Sequence, residues 1–119
     1  TGKAYKIRAR CVVNATGVWV DALRQQDSEA THRPVRPIVA PSQGVHVVVD
    51  REFLPSDHAL MVPKTADGRV LFAVPWLGKV ILGTTDSPRN DLDHEPEPFA
   101  QELQFILGES ARYLRRAPG

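Results

Sequence analysis

A single cysteine, Cys11, in 119 residues has no partner for an internal disulfide. Nothing covalent staples the fold, and the composition suits a reducing compartment. A charge excess is also missing. Fifteen Lys and Arg against fourteen Asp and Glu leave a net charge of +1, which gives no electrostatic ground for binding nucleic acid or an anionic membrane. The basic residues are scattered, apart from Arg112, Arg115 and Arg116. No apolar run approaches the ~20 residues that a membrane-spanning helix needs, and no secretory leader is recognisable. His32, His46, His58 and His94 do not fall at metal-ligand spacing, so no metal is expected. The Gly-x-Gly-x-x-Gly loop that cradles a dinucleotide pyrophosphate is absent as well. So is an initiator methionine: the chain runs from Thr1 to Pro118-Gly119, and both ends read as cut points in a longer protein.

What is present suits one domain with a modest core. Hydrophobic residues make up 42% and charged residues 24%, the balance of an ordinary globular chain. Tyr5 to Val13 reads as a strand, first alternating and then apolar at Cys11-Val12-Val13, as in a strand buried on both faces. A short helix is expected over Val18 to Gln26, with Val18, Ala22 and Leu23 inward and Asp21, Arg24 and Gln25 outward. Pro34, Pro37 and Pro41 mark 27–41 as a crossing segment, with an edge strand at Val35–Val39. Gly44 opens a strand, Val45–Asp50, with Val45, Val47 and Val49 on one face and His46, Val48 and Asp50 on the other. Ala59–Pro63 is a short strand and Ala66-Asp67-Gly68-Arg69 a turn. Val70–Val74 and Val80–Leu82 make a hairpin around Leu77-Gly78-Lys79. Pro88 to Pro98 is loop. Phe99 to Arg116 carries Phe99, Leu103, Ile106, Leu107, Ala111 and Leu114 at helical spacing, although Gly108 weakens its middle. The expected fold class is α+β, a mostly antiparallel or mixed sheet with flanking helices.

Three stretches carry chemistry. Asn14-Ala15-Thr16-Gly17 joins a strand to a helix with small residues, which lets a ligand approach the backbone near a helix N-terminus; it reads equally as a plain junction. Gly83-Thr84-Thr85-Asp86 ends a strand with two hydroxyls and a carboxylate, which can orient a polar ligand or simply bond local backbone. Ser42-Gln43-Gly44-Val45-His46 puts an imidazole on a strand, where it can serve as a general base or as an ordinary partner of a carboxylate.

Together these motifs resemble the FAD-dependent glycerol-3-phosphate dehydrogenases of the bacterial respiratory type. Val12-Val13-Asn14-Ala15-Thr16-Gly17-Val18-Trp19-Val20-Asp21 is similar to a flavin-contacting stretch shared across the amine and hydroxy-acid oxidases of that superfamily. Ser42-Gln43-Gly44-Val45-His46 is similar to a Lys-Gly-x-His segment. Phe72-Ala73-Val74-Pro75-Trp76 followed by Gly83-Thr84-Thr85-Asp86 resembles the narrower family signature. The resemblance runs from about Tyr5 to Asp86.

The resemblance implies that 1–26 closes an FAD-binding domain and that 27–119 belongs to a substrate or cap domain. It implies Ala15, Thr16 and Gly17 beside FAD, His46 as the catalytic base, and Thr84 and Thr85 lining the substrate pocket. The implied reaction oxidises sn-glycerol 3-phosphate to dihydroxyacetone phosphate, with hydride going to the flavin and electrons passed on to quinone. The parent would sit peripherally on the cytoplasmic face of an inner membrane. Gln43 departs from the family lysine, so any phosphate charge must come from elsewhere. The Gly-rich loop and the downstream basic segment lie outside the chain, so the fragment itself is expected to be inactive, to bind no FAD, and to self-associate through an open sheet edge. Another oxidase of the superfamily and a non-enzymatic ligand-binding domain are the alternatives.

Overall fold

The computed structural model describes residues 2–118. They fall into two compact units that meet in sequence at Ala40 and Pro41.

In the first unit, residues 2–13 form no strand. Tyr5, Ile7, Val12 and Val13 are 79 to 88% exposed, which corrects the expected strand at Tyr5 to Val13. The physical reason is pairing. A strand needs neighbours for its backbone N–H and C=O groups, and no described strand pairs with this segment. A single 3-10 turn, Gly17–Trp19, leads into helix α1, Val20–Thr31, which runs five residues beyond its expected end. His32 closes it in the left-handed region at φ 53°, the usual helix stop when a polar residue takes the place of glycine.

The orientation of α1 also differs from expectation. Ala22 and Leu23 are exposed, while Asp21 and Arg24 are half-buried. Asp21 Oδ2 accepts the amides of Ile38 and Val39, each at 2.9 Å, and its Oδ1 accepts from Arg24 at 2.6 Å. Arg24 also donates to the Arg36 carbonyl at 2.7 Å. The polar side of α1 thus holds the proline-rich segment. The predicted edge strand at Val35–Val39 does not form, because a carboxylate takes two of the amides that a ladder would have used.

The second unit is a four-stranded antiparallel sheet with a helix on one face. The strands are β1, Ser42–Gln43; β2, His46–Asp50; β3, Leu60–Val62; β4, Leu71–Trp76; β5, Lys79–Gly83; and β6, Ser87–Pro88. The main sheet runs β2-β5-β4-β3, and β1 pairs with β6 in a separate two-stranded ladder. The β4–β5 hairpin turns on Leu77 and Gly78, both at positive φ, the geometry of a type I′ loop that matches strand twist. Helix α2, Ala100–Ala111, is shorter than the expected Phe99 to Arg116 and packs on β4 and β5.

Alternation sorts the sheet faces as the sequence predicts. Val47, Leu82 and Ala73 lie in register across three strands and point to the core with Val62, Leu71, Val80 and Ile106. Val80, Leu82 and Ile106 are fully enclosed, and burying each such side chain is worth about 1.5–3 kcal/mol. The architecture is the α+β arrangement expected, with antiparallel sheets and two helices.

Candidate active-site elements

His46 starts β2 on the face away from the core, where it is exposed. Its cross-strand partner is Gly83, which also pairs with Phe72, and Phe72 pairs with Met61. One row across the open face therefore reads His46, Gly83, Phe72, Met61. A side chain on Gly83 would stand 2.5 Å from His46 Cδ2 and 2.9 Å from the Val45 carbonyl. The missing side chain at Gly83 is what lets the imidazole lie over β5.

Beyond Gly83 the ladder stops, and side chains take over. Thr84 is half-buried, and its hydroxyl donates to the Thr85 carbonyl at 3.0 Å. Thr85 is buried: its Oγ1 accepts the Val45 amide at 3.1 Å and donates to Glu102 Oε1 at 2.9 Å. Gly44 fits against this corner, since a Cβ there would meet Thr84 Oγ1 and the Thr85 carbonyl, each at 3.0 Å.

Glu102 is the residue that sequence reasoning missed. The helical pattern was built on apolar positions, yet α2 turns Glu102, Ile106, Glu109 and Ser110 inward. Glu102 Oε2 accepts from Gln43 Nε2 at 2.6 Å and from the Phe99 amide at 2.9 Å. Burial works to raise its pKa, but donors from Ser87, Phe99, Gln43 and Thr85 outweigh burial and hold it below the ordinary value. A legible signal did exist: Phe99 followed three residues later by Glu102 has the spacing of a carboxylate that reaches back to the first amides of a helix. Gln43, where the family lysine is expected, accepts Arg89 at 2.5 Å through Oε1. Arg89 is further occupied by Asp91 and the Glu97 carbonyl and lies over the Phe99 ring at 4.7 Å.

In the first unit, the Asn14–Gly17 junction is organised by Asn14. Its Oδ1 accepts from Thr16 Oγ1 at 2.9 Å and its Nδ2 donates to the Val20 carbonyl at 2.9 Å. Gly17 sits at φ 59° with open space where a Cβ would be. A cleft of about 580 Å³ in this unit is lined by Val12, Asn14, Leu23, Arg24, Gln26, Asp27 and Val35; Ala15, Thr16 and Gly17 do not border it. Among the described residues no group of three or more His, Cys, Asp or Glu could hold a metal. No described helix is long and apolar enough to cross a membrane.

The family model for FAD dependent oxidoreductases matches residues 1–119. The chain belongs to the FAD-dependent oxidoreductase family. FAD is accordingly the family's cofactor. Within that family, the chain is 44% identical over 114 residues to the mitochondrial glycerol-3-phosphate dehydrogenase of Rattus norvegicus, covering 96% of this chain and 15% of the rat protein. It is 41% identical over 119 residues to the Schizosaccharomyces pombe mitochondrial enzyme of the same name, covering 18% of that protein. The chain thus spans less than a fifth of these relatives. Among solved structures, it is similar to the Bacillus halodurans glycerol-3-phosphate dehydrogenase complexed with FAD, at TM-score 0.69 and 32% identity, over 83% of this chain and 20% of that one.

Proposed function

We propose that the protein containing this chain oxidises sn-glycerol 3-phosphate to dihydroxyacetone phosphate, and that this chain supplies part of the active site. The observation that carries the reading is His46. It stands on the sheet face opposite α2, over a glycine of the Gly83-Thr84-Thr85-Asp86 signature whose lack of a side chain makes its place. An imidazole held on an open face can take the substrate hydroxyl proton at a ring nitrogen. Thr84 would line the pocket, and Thr85, buried with its hydroxyl turned to Glu102, would contribute to it by holding the strand end in place. The relatives named as glycerol-3-phosphate dehydrogenases support the substrate.

The junction residues fit FAD. Gly17 combines positive φ with open space, so a flavin nucleotide can approach the backbone closely at Gly17, beside Ala15 and Thr16. When bound, FAD would supply the hydride acceptor. Assignment of 1–26 to an FAD-binding domain and of 27–119 to a cap domain is part of the same proposal. So are quinone as electron acceptor and peripheral attachment to the cytoplasmic face of an inner membrane, supported by the resemblance to the respiratory type.

The test is the His46→Ala variant of the full-length enzyme. Turnover on glycerol 3-phosphate is expected to fall about 100-fold or more, within the range for loss of a general base, with a much smaller rise in KM. Unchanged turnover returns His46 to a structural role. Activity on an amine or hydroxy acid, with none on glycerol 3-phosphate, replaces the substrate.

A further inference from the structure

We infer that Glu102 is a positioning residue that locks the His46 strand to the Thr84–Thr85 strand end through the Thr85 hydroxyl. The consequence for catalysis rests on the proposed role of His46.

The β2–β5 ladder ends at the His46–Gly83 pair, and the β1–β6 ladder begins at Gln43 and Ser87. Gly44, Val45, Thr84, Thr85 and Asp86 lie in the gap. There the chain crosses from one ladder to the other without backbone pairing between these strands. Glu102 spans this gap from α2. The direction of each bond is dictated by chemistry. The Val45 amide can only donate, so Thr85 Oγ1 must accept it, and the single Thr85 hydroxyl proton must go to Glu102. Arg89 can only donate, so Gln43 must offer it Oε1 and turn Nε2 to Glu102. With the Phe99 amide and Ser87, every neighbour presents a proton. Only an ionised carboxylate accepts from all of them. Glutamine has the right shape but would face at least one donor with its own NH2.

Glu102→Gln and Thr85→Val therefore break the same relay at two points, and neither changes volume much. In the full-length enzyme each is expected to lower kcat about tenfold or more, as misplacement of a catalytic group does, with KM changed less than about threefold. The double variant should be no slower than the slower single one, because both act through one relay. The Val45 amide, followed by hydrogen exchange, should lose about tenfold or more of its protection in both single variants. If Glu102→Gln does not fold, Glu102→Asp, which keeps the charge but shortens its reach to Thr85, is read by exchange at Val45 instead. Unchanged Val45 protection overturns the inference, as do additive losses in kcat or unchanged turnover per flavin-loaded molecule. A wild-type enzyme inactive on glycerol 3-phosphate sinks the substrate reading instead, and Val45 exchange still decides the role of Glu102.

Discussion

Gly83 shows how much one absent side chain can set. Its Cβ would stand 2.5 Å from the His46 ring and 2.9 Å from the Val45 carbonyl, and the carbonyl cannot swing away as a side-chain tip can. Gly83→Ala is expected to cost about 1–3 kcal/mol of stability, the range for overpacking, and to turn the imidazole off β5. Denaturant unfolding checks the first effect and the chemical shifts of the His46 ring the second. At this scale the sequence was partly legible. The alternation of Val45, Val47 and Val49 against His46, Val48 and Asp50 predicted the open face on which His46 stands. Gly83 was visible as part of a motif, but its purpose depends on a cross-strand partner 37 positions away in the chain, and strand periodicity carries no such pairing. Glu102 was hidden for a related reason: a carboxylate inside a helix pattern reads as solvent-facing unless its distant donors, Gln43 on β1, Thr85 beyond the end of β5 and Ser87 on β6, are known.

Among the elements, α2 fastens to the sheet chiefly through Ile106, fully enclosed against β4 and β5. Ile106→Ala should destabilise the second unit by about 2–5 kcal/mol, read as a lower urea midpoint with an unchanged slope. Gly108 is the opposite case. It lies in the helix interior with open space where a Cβ would go, so Gly108→Ala should stabilise by about 1 kcal/mol and raise the melting temperature. The hairpin, the 66–69 turn and both helices were legible because their signals are local. The predicted strands at Tyr5–Val13 and Val35–Val39 were not realised because a strand depends on what lies beside it. The first has no pairing neighbour among the described residues, and the second gives its amides to Asp21.

For the whole molecule, pH and cofactor give the readouts. Asp67, held to about 2 by the Arg69 guanidinium and Thr65 against the cost of burial, and Asp91, held to about 2 chiefly by Arg89, titrate below the ordinary 3.8. Asp21 and Glu102 are lowered too. Groups with depressed folded pKa values stabilise above their unfolded values and lose that contribution as pH falls through the folded ones. The unfolding midpoint should therefore be flat above about pH 5 and fall between about pH 4 and 2. The fragment alone is expected to bind no FAD, so a yellow preparation with a flavin absorbance band would contradict the division of labour proposed here. It is also expected to associate through the unpaired edges of β2 and β3, which sedimentation at rising concentration would show.

The corner where Gly44, Gly83, Thr85 and Glu102 meet has an evolutionary consequence. An added Cβ would collide at Gly83 and be tightly crowded at Gly44, and a third member, the carboxylate, has every direction of acceptance taken. Single substitutions at such a corner carry a cost that a second change must offset. A lineage that alters one of these positions would need a compensating change at another, so tolerated substitutions here should arrive in pairs rather than singly.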